Sequence, residues 1–191
     1  MNRRIPDLRR ARIYDDLAET YERVSLPVFF AAPGRVLAQR VAPAPGSRIL
    51  DVGAGTGAVA RAVRDRAGDG ALVVVADASA AMLRMARGAG LADGIVAMLP
   101  DLPFAPESFD IVTSAFVMTH LDDADAAARD MKRVLRAGGR IGLSAWYPAD
   151  DAAAREWSRI VGEHMDPARV EAAVRETLPG DMRFARAGSL A

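Results

Sequence analysis

The sequence contains no cysteine, which excludes disulfides, thiolate catalysis and every metal site built on cysteine. It also lacks an apolar run of about 18 residues, and its basic N-terminus has no apolar stretch of the kind found in secretory signals. Neither sign of charge prevails, since 25 basic and 25 acidic residues give a formal net charge of zero. These absences argue against a membrane or a nucleic acid as the main partner and favour a cytoplasmic protein.

The chain is long enough, at 191 residues and 51% hydrophobic content, for a domain with a substantial core. We expect an N-terminal helical lid over residues 1–44 and a core domain over residues 45–147. In the lid, apolar residues at steps of three to five predict an amphipathic helix over 7–30 that ends near Pro27. A second helix is expected to end at about Val41.

After a turn rich in proline, short apolar runs alternate with helical stretches. The predicted strands are 49–52, 72–76, 95–98, 109–114 and 140–145, and the predicted helices between them are 59–66, 79–89 and 124–136. We expect Gly138 and Gly139 to stop the last of these helices. Strands flanked by helices at this spacing predict a mostly parallel sheet covered on both faces, which is a doubly wound α/β fold.

The stretch DVGAGTG, residues 51–57, joins the first predicted strand to a helix. Glycine permits a tight turn, the close approach of a ligand and the packing of the helix against the strand. Ligands of doubly wound sheets bind beyond the carboxyl ends of the strands, where this loop lies. Asp51 before the loop and Asp77 at the end of the second strand give the site two carboxylates. The carboxylate of Asp77 is placed to accept both hydroxyls of a ribose.

The same loop meets the G-x-G-x-x-G/A pattern of nicotinamide sites through Gly53, Gly55 and Ala58. Such a site puts a pyrophosphate at the helix N-terminus, whereas a carboxylate directly before the loop suits a cationic ligand better. An oxidoreductase would also need a proton donor beside the cofactor, and the sequence has no Tyr-x-x-x-Lys arrangement. An NAD-dependent oxidoreductase is therefore the first alternative.

Three further stretches follow the glycine loop in order. They are Asp77 with SAAML at 79–83, LPFAPESFDIVTSAFVMTHLDD at 102–123, and RVLRAGGRIGLSAW at 133–146. Together the four stretches resemble class I S-adenosylmethionine-dependent methyltransferases, and are closest to the small-molecule branch typified by quinone-biosynthesis enzymes. The likeness covers roughly residues 11–147. It implies a Rossmann-like fold, S-adenosylmethionine as the cofactor, and methyl transfer to a small organic acceptor by in-line displacement.

The resemblance also implies which residues hold the cofactor. Asp51 is expected near the methionine amino group, and Asp77 is expected to hold the ribose hydroxyls. The other implied contacts are Gly53, Ala54 and Gly55 along the cofactor, Ala78 and Met82 around the adenine, and Ala115.

One position departs from the family pattern. Relatives commonly carry an aspartate that accepts the adenine amino group at the place of Met98. A thioether contacts aromatic faces favourably but offers no strong acceptor. Either shape and backbone groups such as the amide of Leu99 hold the adenine, or a lost hydrogen bond weakens binding by about 0.5–1.5 kcal/mol. This departure supports the second alternative, a non-catalytic binding module that has kept the fold and lost the chemistry.

The acceptor side is expected to be aromatic. The predicted substrate contacts are Tyr14, Tyr21, Phe116 and Trp146, within a wider aromatic set that includes Phe29, Phe30 and Tyr147. His120, just after the fourth strand, is the predicted general base for an acceptor atom that still holds its proton. No metal site is expected, because the acidic run at 122–125 fits the start of a helix favoured by its dipole.

The last part of the chain, residues 148–191, is expected to be an incomplete helical segment with helices at about 152–164 and 167–178. It would leave no residues for the antiparallel hairpin that usually completes this fold. The fifth strand would then be an open edge carrying Ile141 and Leu143, and open edges invite pairing with another chain. The sequence therefore predicts a longer protein or a homo-oligomer assembled through this edge.

Overall fold

The computed structural model describes the backbone of residues 9–145 and the side chains of residues 12–145. The strands are β1 Arg48–Val52, β2 Leu72–Asp77, β3 Gly94–Val96, β4 Phe109–Ala115 and β5 Leu135–Ser144. The α-helices are α1 Arg9–Thr20, α2 Ala31–Val41, α3 Ala58–Ala67, α4 Ala80–Gly88 and α5 Ala124–Val134. All described strands are parallel and lie in the order β3-β2-β1-β4-β5.

Alternate residues of the strands supply two hydrophobic cores on opposite faces of the sheet. On β1, Ile49 packs with residues of α2 and α3, whereas Leu50 and Val52 pack with residues of α5. On β4, Ile111 joins the first core and Val112 the second. This alternation follows from the two-residue period of side chains along a strand. The prediction of a doubly wound α/β fold is confirmed.

The lid differs from its prediction. The amphipathic helix does not continue to Pro27, because α1 ends at Thr20 and a π-helical segment, Tyr21–Phe30, follows it directly. Pro27 lies inside that segment. Proline has no N–H to donate and disturbs the regular α-helical bonding pattern, which is consistent with the wider π turns around it. Beyond this segment α2 ends at Val41, as predicted.

Other boundaries were also wrong, and β5 begins at Leu135 rather than at residue 140. The third strand ends at Val96 rather than at residue 98, and Pro100 shortly afterwards has no N–H with which to continue a ladder. The helix α5 ends at Val134 rather than at residue 136, because Leu135 is extended and pairs with Phe109 of β4. The two glycines that were expected to stop the helix therefore lie within the range of β5, where the register with β4 shifts.

Lid and core belong to one compact unit that ends at Ser144. Within the described residues β5 is the last strand of the sheet, and Ile141 and Leu143 are 38% and 43% exposed. Assembly through this edge stays a prediction. Across residues 9–145 the helices are too short or too polar to cross a membrane. The predicted helices at 152–164 and 167–178, with Trp146, lie outside the described residues.

Candidate cofactor and acceptor site

The amide groups of the glycine loop between β1 and α3 are hydrogen-bonded within the protein. The amides of Gly53 and Ala54 both donate to the carbonyl of Ala76, at 2.7 and 3.1 Å. The amide of Gly57 donates to the carbonyl of Ala54 at 2.9 Å. Buried backbone donors need such partners, and here the protein supplies them. These amides are therefore already committed to bonds within the protein.

Two glycines of this loop both have positive φ angles, but their surroundings differ. Gly53 has φ 65°, and a Cβ added there would collide with the side chain of Val117. Gly55 has φ 56°, but a Cβ added there would meet only the ring of Tyr21, at an ordinary contact distance of 3.6 Å. Protein packing thus accounts for Gly53, whereas the space beside Gly55 opens toward the lid.

Asp51 is 1% exposed and bonded through both carboxylate oxygens. Its Oδ1 accepts from the hydroxyl of Thr113 at 2.8 Å, and its Oδ2 accepts from the amide of Ala60 in the first turn of α3 at 3.1 Å. Burial raises the pKa of Asp51 to about 7, although both hydrogen bonds favour its charged form. The carboxylate is therefore fixed between β4 and the N-terminus of α3.

Asp77 ends β2 and is bonded to the backbone on two sides. Its Oδ2 accepts from the amide of Gly55 at 2.8 Å, and its Oδ1 accepts from the amide of Ser79 at 2.8 Å. Burial raises the pKa of Asp77, and the backbone N–H groups oppose that shift. The bond to Gly55 joins the end of β2 to the glycine loop, so both predicted carboxylates border the same loop.

A narrow cleft lies over the carboxyl ends of β1 and β4. Its lining combines the glycine loop, the start of α3 and aromatic residues from the lid and from the end of β4. The lining residues are Tyr21, Phe30, Asp51, Gly53, Ala54, Ala58, Val59, Ala115 and Phe116. Six of the predicted site residues, namely Tyr21, Asp51, Gly53, Ala54, Ala115 and Phe116, are thus brought together.

The aromatic wall of the cleft comes from distant parts of the chain. The rings of Tyr21 and Phe30 are stacked with centroids 5.0 Å apart, and Phe30 meets Phe116 edge to face at 5.3 Å. Phe116 has φ 61°, and its amide donates to the carbonyl of Ser144 at 2.8 Å. Burial raises the pKa of Tyr21, which keeps its phenol protonated at neutral pH.

Tyr14 and His120 form a second aromatic contact next to this wall. Their rings meet edge to face with centroids 6.1 Å apart, and the Tyr14 hydroxyl lies 3.4 Å from Nε2 of His120. His120 belongs to the short 3₁₀-helix Met118–His120 that follows β4. Neither residue lines the cleft itself, but Tyr14 packs with Met82 and Ala18 beside the cofactor side.

The residues predicted to surround the adenine lie around the ends of β2 and β3. Met82 is 1% exposed and packs under α1, and Ala78 directly follows Asp77. Met98 is half-buried and follows Ala97, whose amide donates to the carbonyl of Asp77 at 3.0 Å. The side chain of Leu99 packs in the core on the α5 face, which leaves its backbone for the predicted contact.

Sequence reasoning missed several neighbours of these residues. Thr113 lies directly opposite Asp51 across the pair β1 and β4, a relation that only the strand register reveals. Val117 fills the space beside Gly53, and Asp15 of α1 accepts a hydrogen bond from Ser79. Residues 12–145 contain no group of acidic or histidine side chains placed to hold a metal ion.

Comparison with known proteins agrees with this geometry. Residues 50–143 match the methyltransferase domain family. Nocamycin O-methyltransferase of Saccharothrix syringae is 34% identical over 173 residues, which are 87% of this chain and 59% of that protein. The ubiquinone/menaquinone biosynthesis C-methyltransferase UbiE of Xanthomonas oryzae is 40% identical over 103 residues, 50% of this chain and 41% of that one.

A structural neighbour gives the same fold. A chain from the Haloferax volcanii complex of the Trm112 methyltransferase activator and a methyltransferase aligns with a TM-score of 0.65 and 23% identity, covering 86% of this chain and 75% of that one. Residues 50–143 are thus a methyltransferase domain. Over residues 50–143 the chain is similar to class I S-adenosylmethionine-dependent methyltransferases, the proteins whose cofactor is S-adenosylmethionine. It spans 41% and 59% of the length of these two curated relatives.

The residues present fit that cofactor. Asp51 would offer a carboxylate to an ammonium group at the cleft, and Asp77 would offer one to hydroxyls beside Gly55. The fully buried hydroxyl of Thr56, in the same loop, has no hydrogen-bond partner among the described residues. Carboxylates and aromatic surfaces are the groups that a cationic, ribose-bearing ligand requires.

Proposed function

We propose that this protein transfers the methyl group of S-adenosylmethionine to a small organic acceptor. The observation that carries the proposal is the place of the Asp51 carboxylate, which accepts from the amide of Ala60 at the N-terminus of α3. A dinucleotide site uses that helix end for its pyrophosphate. A buried carboxylate there repels phosphate and favours a ligand with a positive charge.

The loop amides support the same choice. A pyrophosphate is held by backbone N–H groups that point at it. In this loop the amides of Gly53, Ala54 and Gly55 instead donate to Ala76 and Asp77. A cofactor that offers donors of its own, an ammonium group and two ribose hydroxyls, complements these acceptors, so we keep the NAD-dependent oxidoreductase only as an alternative to be tested.

We assign the cofactor contacts accordingly. Asp51 faces the methionine ammonium group, and Asp77 accepts the ribose hydroxyls by charge-assisted hydrogen bonds. The glycine loop lies along the ligand, with Ala115 at the far side of the cleft. The adenine is assigned to Ala78, Met82, Met98 and the amide of Leu99.

S-adenosylmethionine, when bound, supplies a methyl group on a sulfonium centre that a nucleophile displaces in line. The protein's part is to hold the acceptor in that line and to exclude water, which accounts for about 7–11 kcal/mol of barrier in well-oriented cases. Tyr21, Phe30 and Phe116 provide flat apolar walls for this purpose. Among the described residues, Asp51 is the only charged one that lines the cleft, which favours a neutral, flat acceptor.

His120 is the proposed general base. Oxygen and carbon acceptors both carry a proton that must leave when the new bond to the methyl group forms, and the two curated relatives are named as a C-methyltransferase and an O-methyltransferase. The Tyr14 hydroxyl lies 3.4 Å from Nε2 of His120 and orients the ring. Tyr14, Tyr21, Phe116 and Trp146 are the proposed acceptor contacts.

The direct test is methyl transfer to a panel of phenols and hydroquinones, with S-adenosylmethionine carrying a deuterated methyl group and products read by mass spectrometry. The proposal expects a labelled product for at least one acceptor and none when S-adenosylmethionine is omitted. Tight binding of the cofactor without transfer to any member of the panel would instead favour the non-catalytic binding module.

A further inference from the structure

We propose that Asp15, on the lid helix α1, is a positioning residue that holds Asp77 in its ribose-binding orientation through Ser79. The inference rests on the proposed function, because it concerns the residue assigned to the ribose. It adds a link between the lid and the cofactor contact. Through that link, the position of the lid affects the orientation of the carboxylate that binds the ribose.

The first link is between α1 and the N-terminus of α4. Oδ1 of Asp15 accepts from the hydroxyl of Ser79 at 2.6 Å and from the amide of Ala81 at 3.1 Å. The Ser79 hydroxyl in turn accepts from the amide of Met82 at 3.1 Å, as an N-cap does. The bond from Ser79 is the chief cause that lowers the pKa of Asp15, so its carboxylate is charged at neutral pH. The lid thus supplies a second cap to α4.

The second link runs from Ser79 to the glycine loop. Ser79 is fully buried, and its amide donates to Oδ1 of Asp77 at 2.8 Å. The other carboxylate oxygen of Asp77 accepts from the amide of Gly55 at 2.8 Å. Asp15, Ser79, Asp77 and Gly55 therefore form a continuous chain of hydrogen bonds. Fixing Ser79 from the lid fixes one of the backbone donors that orient Asp77.

A separate tether connects the lid to α3. Glu22 and Arg61 form an ion pair with Oε1 and Nη1 3.0 Å apart, and a second contact at 3.4 Å makes it bidentate. This tether holds the π-helical segment but does not touch Ser79 or Asp77. The protein thus contains its own control, since Glu22→Ala loosens the lid without cutting the chain of hydrogen bonds.

Charge alone would have the opposite effect to positioning. The negative charge of Asp15 is among the causes that raise the pKa of Asp77. Removing that charge favours ionised Asp77 and, by itself, tighter binding of ribose hydroxyls. Loss of positioning predicts weaker binding, so the sign of the change separates the two roles.

The test compares S-adenosylhomocysteine with its 2′-deoxy analogue by calorimetry. For Asp15→Ala we expect affinity for S-adenosylhomocysteine to fall about 3- to 10-fold, because one exposed charge-assisted hydrogen bond is lost. Affinity for the analogue should change less than about 2-fold. Asp15→Asn keeps an acceptor and should restore most of the preference. Asp16→Ala, which removes an exposed charge from the same helix, should resemble wild type.

A second readout needs no cofactor. Amide hydrogen exchange at Gly55 should quicken in Asp15→Ala and stay unchanged in Asp16→Ala and Glu22→Ala. Equal quickening in Asp15→Ala and Glu22→Ala, or an equal loss of affinity for both ligands, would contradict the proposed role of Asp15. Such a result would mean that the substitution only loosens the lid. If wild type binds neither ligand while the exchange result holds, the proposed function fails and the structural link stands.

Discussion

The two halves of the cleft are built in different ways. On the cofactor half, the polar groups of Asp51, Asp77 and the glycine loop are bonded to one another or to nearby backbone. On the acceptor half, rings from the lid and from the segment after β4 meet at centroid distances of 5.0 and 5.3 Å. The comparison indicates that the proposed cofactor site is built from fixed hydrogen bonds, whereas the proposed acceptor site is built from ring surfaces of the lid and of the segment after β4.

The largest expected effect tests the acceptor half. His120→Ala should lower kcat by about 10²- to 10⁴-fold, the usual contribution of a general base. Affinity for S-adenosylhomocysteine should stay the same, because His120 does not line the cofactor half. The measurement is turnover of an acceptor identified in the panel, with calorimetry on the same preparation. The sequence has one other histidine, His164, so His164→Ala is the control variant, and equal losses in both variants would remove His120 from the reaction.

The next effect tests the cofactor half. Asp77→Ala should weaken S-adenosylhomocysteine binding by about 1.5–3 kcal/mol, because two charge-assisted hydrogen bonds to the ribose are lost. Calorimetry against Asp69→Ala, an exposed aspartate in the turn before β2, provides the control. An unchanged affinity in Asp77→Ala would show that the ribose lies elsewhere.

A pH series tests Asp51. Folding raises its pKa from 3.8 to about 7, so the native state keeps a proton that the unfolded chain has lost. Its contribution to stability is therefore complete below about pH 4 and disappears as the pH rises through about 7, at most about 4 kcal/mol. Relative to Asp51→Asn, the melting temperature of the ligand-free wild type should fall between pH 5 and pH 8.

Binding should show the opposite trend over the same range. The ammonium group of the ligand favours ionised Asp51, so affinity for S-adenosylhomocysteine should rise about 10-fold from pH 6 to pH 8. Asp51→Asn should flatten this dependence. Parallel pH profiles for the two proteins would mean that another group controls binding.

The smallest expected effect concerns Met98. Met98→Asp should improve cofactor affinity about 2- to 10-fold, because it restores an acceptor beside the adenine amino group. Met98→Leu keeps the position apolar and should leave affinity unchanged. A destabilised Met98→Asp protein with no gain in affinity would indicate that a half-buried carboxylate merely costs folding energy there.

The cofactor half could largely be predicted from the sequence. Short apolar runs located β1 and β2, and the glycine content identified the loop between Asp51 and Gly57. The sequence did not reveal the order and register of the strands. The bond from Thr113 to Asp51 exists because β4 lies beside β1 with these residues opposite, and strand order is not a local property.

The lid was the hardest part to predict. Its apolar spacing indicated a helix, but the change from α to π bonding at Tyr21 and the position of Pro27 inside the segment were missed. Helix periodicity is a local pattern, whereas the contact of Asp15 with Ser79 spans 64 positions along the chain. The end of α5 was misplaced for a similar reason. The pairing of Leu135 with Phe109 of β4 ends the helix before Gly138 and Gly139, which were expected to stop it. A cytoplasmic location also stays a prediction.

The measurement that tests the account most directly is calorimetry with S-adenosylhomocysteine and NAD on the same protein preparation. The buried carboxylate at the N-terminus of α3 and the acceptors beside Gly55 predict micromolar binding of S-adenosylhomocysteine and weaker or undetectable binding of NAD. Tighter binding of NAD would mean that a pyrophosphate fits where Asp51 lies, and would contradict the assignment of the cleft.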